Sequence, residues 1–243
     1  MSFLKYQRIP SKPYPIFNRQ PLKIHAGWRI QFTSLSNDMD PRQVSPDDED
    51  AWLDFMQDLM YIHYDETFGL DLGWYPEGDP NGAFELQLVT HKDFKKLFSI
   101  ETRSLNEVLD GIEKITWGVS QGILPTRDRE FSIELLVPPI RLQPIKFYQG
   151  WTVRHNTFTE TDPIKIPPDR PEMWTSLTGD LLRLENDDHD EIRLGWEPGC
   201  DPNGRFVLRV FKDGDKEHPT RTIETRKKDE IVDWIEWAEL DRL

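Results

Sequence analysis

Carboxylates dominate the side chains here that could do chemistry. Asp47, Asp48, Glu49 and Asp50 form one run. A second run, Glu185-Asn186-Asp187-Asp188-His189-Asp190-Glu191, holds Asp187, Asp188, Asp190 and Glu191. Such groups can ligate a hard cation, favour a helix start, or meet a basic partner. A calcium loop needs acids at alternating positions, a glycine for the sharp turn and a distal bidentate glutamate. The second run has no such glycine, so a solvated loop comes first, a contact for a basic partner second and a metal site last. Asp79-Pro80-Asn81-Gly82 and Asp201-Pro202-Asn203-Gly204 lack the further acids and read as turns, with proline setting φ, aspartate bonding back and glycine supplying positive φ. They predict a type I turn with a glycine bulge.

Other nucleophiles and bases are sparse. His25, His63, His91, His155, His189 and His218 fall in no ligand spacing. Cys200 sits in a turn with no histidine base in view. No nucleophile elbow, phosphate loop or dinucleotide fingerprint occurs. The reading assigns no catalytic, cofactor-binding or metal-binding residue, and no cofactor. The partner-binding candidates are Asp47, Asp48, Glu49, Asp50, Asp187, Asp188, Asp190 and Glu191, joined by Trp234 and Trp237 if those indoles are exposed as interface anchors.

The elements that must position these groups are written twice. Leu72-Gly73-Trp74-Tyr75-Pro76 through Phe84-Glu85-Leu86 recurs as Leu194-Gly195-Trp196-Glu197-Pro198 through Phe206-Val207-Leu208, and Ile100-Glu101-Thr102-Arg103 recurs as Ile223-Glu224-Thr225-Arg226. Gly27-Trp28 matches Gly150-Trp151, Trp52 matches Trp174, and Gln20-Pro21 matches Gln143-Pro144. The expected fold is α+β: a tandem duplication of a β-α-β-β-β-α module, mainly antiparallel, with helices packed on one face and a pseudo-twofold arrangement. Residues 1–118 form the first module with its N-terminal extension, 119–136 a connecting segment, and 137–243 the second module.

Within each module, Trp28, Ile30 and Phe32 alternate as a half-buried strand, and His155 occupies the slot of Phe32, as a core histidine or a polar pocket residue. Trp52, Phe55, Met56, Leu59 and Met60 fall at helical spacing, as do Trp174, Leu177, Leu181 and Leu182. A hairpin and a further strand follow, then a helix opened by the capping pattern of Ser104 and Glu107. Phe131, Ile133, Leu135 and Val137 alternate and predict an extra strand. Strand alternation puts Glu101 and Arg103 on one face, as does that of Glu224 and Arg226, where a cross-strand ion pair or a polar partner surface are the two readings.

Charge narrows the function. The chain has 243 residues and a net charge of −14. Residues 1–20 carry four bases and no acids, whereas 21–118 carry 8 bases and 19 acids and 144–243 carry 15 and 22. Both modules would repel a phosphate backbone, so nucleic acid is not the expected partner, while a basic protein would be attracted and steered. Simple solubility explains the charge equally well. No apolar run is long enough for a membrane span, the start has no signal-peptide pattern, and a single cysteine fits a reducing cytoplasm.

In this general character the chain resembles the acidic immunity proteins of bacterial toxin systems, a resemblance carried by no motif. It implies a cytoplasmic monomer or weak dimer that binds a cognate, often basic, toxin through its acidic runs. The alternatives are an enzyme or small-molecule binder with a site at the junction of the repeats, and a non-catalytic subunit of a larger complex.

Overall fold

The computed structural model describes residues 18–125 and 132–240. Alternating apolar residues build ten strands: β1 Trp28–Thr33, β2 Met60–Tyr64, β3 Phe68–Tyr75, β4 Ala83–Thr90, β5 Lys96–Thr102, β6 Trp151–Asn156, β7 Leu182–Asn186, β8 Glu191–Glu197, β9 Arg205–Phe211 and β10 Arg221–Thr225. The helices are α1 Glu49–Trp52, α2 Leu105–Ser120 and α3 Lys228–Leu240. All strands join one antiparallel open sheet in the order β10-β9-β8-β7-β6-β1-β2-β3-β4-β5. Each half of the chain therefore runs outward, strand by strand, from a central β1–β6 seam.

That seam is short. Arg29 faces Thr152, the Gly27 N–H donates to the Val153 carbonyl at 2.7 Å and the Gly150 N–H to the Ile30 carbonyl at 2.8 Å. Leu22 and Ile145 exchange two further backbone bonds of 2.8 and 3.0 Å. These bonds fix the two halves as one sheet.

One face of the sheet carries the core. Trp28, Trp74, Trp151, Trp174 and Trp196 are all fully enclosed, and each indole N–H meets a carbonyl: Thr116, Asp79, Glu239, Pro167 and Asp201 respectively, at 2.9–3.3 Å. Burying an aromatic is favourable only when its polar tip is satisfied, and these carbonyls satisfy it. α2 lies over β4 and β5, and α3 over β8, β9 and β10, on this same face. Ser104 caps α2, its Oγ accepting the Glu107 N–H, while the Glu107 carboxylate accepts from the Thr102 hydroxyl instead of closing the box on Ser104. The opposite face is covered by no helix among the described residues.

The architecture departs from expectation in four places. The helix expected over Trp52 to Met60 is a single turn, α1, whose N-cap Asp48 accepts the Ala51 N–H at 3.2 Å. Met60 and Ile62 instead enter the sheet opposite Leu72 and Leu70. In the second half, Pro171–Trp174 is one 3-10 turn and Leu182 opens β7. Each half is thus five strands and one long helix. Helical spacing at 52, 55, 56, 59 and 60 arose because a turn, a loop and a strand each present apolar residues to the same core, with Phe55 packed edge-on against Trp74.

The strand expected near residues 131–137 is also not formed. Val119 and Ser120 close α2, Ile133–Leu135 is a 3-10 turn with exposed Leu135, and Phe131 lies outside the described residues. Gly82 and Gly204 are not at positive φ. They are glycine because a Cβ would stand 2.5 Å from Trp74 Nε1 and 2.2 Å from Trp196 Nε1, blocking the indole bonds to Asp79 and Asp201. Finally, the expected cross-strand ion pair forms at Glu224, which accepts from Arg205 of β9 at 3.1 Å, but Arg103 takes no part in one. It donates to the Gly82 and Pro80 carbonyls, as Arg226 does to those of Gly204 and Pro202, and each guanidinium lies over its tryptophan, Trp74 or Trp196. The repeated arginine is a staple for the repeated turn.

Candidate functional site: the open face of the sheet

Strand register sets the open face as a grid. In the first half its rows read Tyr61–Asp71–Gln87–Ser99, Gly73–Glu85–Glu101 and Tyr75–Ala83. In the second half the matching rows read Arg183–Arg193–Arg209–Thr222, Gly195–Val207–Glu224 and Glu197–Arg205. Three arginines in one row of the second half stand where the first half has a tyrosine, an aspartate and a glutamine.

The consequence is electrostatic. In the second half carboxylates meet the chain's own cations. Glu197 accepts two bonds from Arg209 at 2.6 and 2.8 Å, Glu224 one from Arg205 at 3.1 Å, and Glu185 one from Arg154 at 2.8 Å. Glu191 takes a bidentate pair from Arg193, with Arg183 and Lys216 nearby. The Arg209 hydrogen bonds hold Glu197 below the ordinary carboxylate range. Burial pushes Glu191 upward, but Arg193, Lys216 and Arg183 together outweigh it and leave it lowered.

The first half has the reverse balance. Among the described residues, Lys96 bonds Glu85 at 2.5 Å, and no lysine or arginine pairs with Asp58, Asp71, Glu77 or Glu101. Asp71 is pushed up to about 6, first by burial, then by the charges of Asp58 and Glu85. Glu85 and Glu101 stand directly opposite across β4–β5, an arrangement that costs energy when both are ionised. Beside them opens a cavity of about 420 Å³ lined by Gln57, Tyr75, Pro76, Glu77, Ala83, Glu85 and Glu101.

Aromatics share this half of the face. Phe32 and Phe94 stack on Tyr61 with centroids at 6.4 and 5.4 Å, the Tyr61 hydroxyl bonds His91 Nδ1 at 2.9 Å, and His91 stacks on His63 at 4.5 Å. Phe94 is 60% exposed, on a backbone of positive φ (51°).

The residues expected to bind a partner are not gathered together. Asp47, Asp48, Glu49 and Asp50 are exposed around α1, Asp48 acting as its cap. Asp187 is exposed and paired with Arg29 at the seam, and the exposed Asp188 donates its N–H to Asn186 Oδ1 at 2.9 Å. Asp190 and Glu191 are buried, which removes them from a contact surface. Burial alone would raise Asp190, but bonds from Asn186, the Asp213 N–H and Lys212 hold it lowered, so it pins the β7–β8 turn to residues 212–213. Trp234 is likewise enclosed and meets Trp237 edge-on at 5.4 Å, and Arg221 caps the Trp237 ring at 4.1 Å. Both indoles belong to the packing of α3.

A second cavity, of about 480 Å³, lies at the seam, lined among others by His25, Tyr64, Trp117, Arg154, His155 and Asn156. His155 is half-buried there and shares Nε2 with the Thr157 hydroxyl and the Asp180 carbonyl. His25 is buried, its Nε2 has no hydrogen-bond partner, and burial drops it to about 4, so it is neutral at physiological pH. No helix of the described residues is long and apolar enough to cross a membrane.

Comparison with protein-family models, with curated proteins and with solved structures gives no match. The site is therefore read from its own chemistry. Sequence reasoning missed the acids Asp58, Asp71, Glu77 and Glu85, and Tyr75 among them, because they are scattered over strands and the loops beside them and form no run. The only signal was that Ala83 and Gln87 stand where the second repeat has Arg205 and Arg209.

Proposed function

We propose that this chain is a non-catalytic binding protein that captures a basic protein domain on the open face of its first half, in the manner of an immunity protein blocking a toxin. One observation carries the reading: on matching strand grids, the second half neutralises its carboxylates with its own arginines, whereas the first half leaves Asp58, Asp71, Glu77 and Glu101 without a described cation. The proposal includes a tandem origin of the two halves, related by a pseudo-twofold at the β1–β6 seam, and a cytoplasmic monomer or weak dimer.

The test is capture from source-cell extract with the native chain, with Asp71→Lys/Glu101→Lys, and with Glu224→Lys as a second-half control. A basic protein retained by the native chain and the control, but lost from the double variant, supports the reading. Capture unchanged by the double variant rejects it. A second reading, a small ligand at the seam cavity, is supported by the half-buried His155 in its wall. Under that reading, ligand-induced change in Trp117 fluorescence disappears in His155→Phe.

A further inference from the structure

We infer that the cavity beside Tyr75 is a receptor for one arginine side chain of the partner, whose guanidinium would lie against Glu85 and Glu101; this rests on the proposed capture of a basic protein and names the residue that is captured. Glu85 and Glu101 oppose one another across β4–β5 with Glu77 in the same wall. Two carboxylates fixed face to face repel each other, and a cation between them converts that repulsion into two attractions. Lys96 reaches Glu85 alone. The walls also offer the Tyr75 ring, 36% exposed, and Pro76, flat surfaces against which a planar cation can stack.

The second half carries its own occupant of the matching place. Ala83 pairs with Tyr75 in the first half as Arg205 pairs with Glu197 in the second. Glu101 stands on β5 as Glu224 stands on β10. There the Arg205 guanidinium reaches Glu224 at 3.1 Å and Arg209 closes on Glu197 with two bonds. In the first half the methyl of Ala83 and the neutral amide of Gln87 leave that volume open. The cavity of about 420 Å³ has Ala83 in its wall, at the position that Arg205 holds in the second half.

Arginine fits better than lysine for a geometric reason. A planar fork with five donors can serve two opposed carboxylates at once, while an ammonium is a point charge that holds more water. Both internal occupants of the second-half grid are arginines. Asp71, raised toward 6 one strand row away, adds negative charge on the same face once it ionises.

The experiment is a heteronuclear NMR titration of the full-length protein with N-acetyl-arginine amide, N-acetyl-lysine amide and calcium chloride as separate probes. The arginine probe is expected to shift the backbone amides of Tyr75, Ala83, Glu85 and Glu101, with the lysine probe roughly ten-fold weaker. Ala83→Arg, which installs the second-half occupant, is expected to abolish those shifts while Arg205→Ala keeps them. Equal shifts with lysine, shifts produced by calcium alone, no shifts at all, or shifts untouched by Ala83→Arg each overturn the inference. So does release of the site by Lys5→Glu/Arg8→Glu/Lys12→Glu, which would make the chain's own basic N-terminal segment the occupant. The two readings fail separately: a partner lost with Asp71→Lys/Glu101→Lys but held by Ala83→Arg removes the arginine receptor and leaves basic-protein capture standing.

Discussion

Arg205 and Glu224 are 3.1 Å apart across β9–β10, and the positions that match them in the first half are Ala83 and Glu101, with no cation between. Among the positions where the two grids differ, alanine in place of arginine leaves Glu101 without the partner that Glu224 has. The pair itself is half exposed on both sides, so its worth to stability is small. Arg205→Ala is expected to lower stability by no more than about 1 kcal/mol, read by urea unfolding. A loss several times larger would mean that Arg205 holds the sheet edge and does not simply occupy a receptor-shaped gap.

Asp71 gives a pH signature. Its folded value of about 6 lies above the ordinary 3.8, first because of burial and then because of Asp58 and Glu85. The fold therefore favours the protonated form. The stabilising contribution is complete below the unfolded value and is lost as pH rises through about 6. Asp71→Asn is expected to be more stable than the native chain at pH 7.5 and equal to it at pH 4. Equal midpoints at both pH values would contradict the assignment. If a cationic partner docks on this face, Asp71 should titrate lower in the complex, measurable by carboxyl carbon NMR.

Glu239 carries the same kind of burden in the core. It is fully enclosed on α3, its Oε2 accepts the Tyr148 N–H at 3.0 Å, and Oε1 has no partner. Burial raises it well above the ordinary value, with Glu236 adding to the rise and the Tyr148 N–H and Arg19 opposing it. The fold therefore favours its protonated form, and stability is lost as pH rises through the raised value. Glu239→Gln keeps the acceptor and should flatten the alkaline loss. Glu239→Ala strands the Tyr148 N–H and should cost about 1–3 kcal/mol. Thermal unfolding of the two variants between pH 6 and 9 separates these effects.

Much of the frame was legible from residue order. The repeated Asp-Pro-Asn-Gly turns, the strands β3, β4 and β5, the Ser104 cap and the buried tryptophans all follow from local chemistry that acts over a few residues. What was not legible depends on partners far along the chain. Leu59 and Met60 fit a helical stripe until Leu59 donates its N–H to Leu72 at 2.9 Å and the segment becomes β2. The acidic run at 187–191 reads as surface, yet Asp190 is enclosed with Lys212, just past β9, and Glu191 with Arg183 of β7 and Lys216 as well as its own strand neighbour Arg193. Conversely Asp71 and Glu85 are unremarkable in sequence, and they converge with the repeated Glu101 only once register aligns β3, β4 and β5. Candidate sites built from runs of charge thus favour hairpin loops, whereas this one is assembled across strands.

Cys200 supplies a last prediction, at the point where the two halves differ in backbone chemistry. It stands where the first half has Gly78, and both adopt left-handed backbone, φ +58° and +66°. Both N–H groups donate to a carbonyl of the preceding loop, Cys200 to Leu177 at 2.7 Å and Gly78 to Phe55 at 2.9 Å, so the conformation is required by the fold in each case. A side chain there is strained where glycine is not, by about 1–2 kcal/mol. Cys200→Gly relieves that strain but frees the unfolded chain, an opposing effect of about 0.4–1 kcal/mol. The expected net result is a gain of up to about 1 kcal/mol, read as a higher urea midpoint with an unchanged slope. Its Sγ makes only a 3.8 Å contact with the Thr175 carbonyl, too weak to offset the gain. A variant less stable than the native chain would show that the thiol contributes packing at this turn beyond that contact.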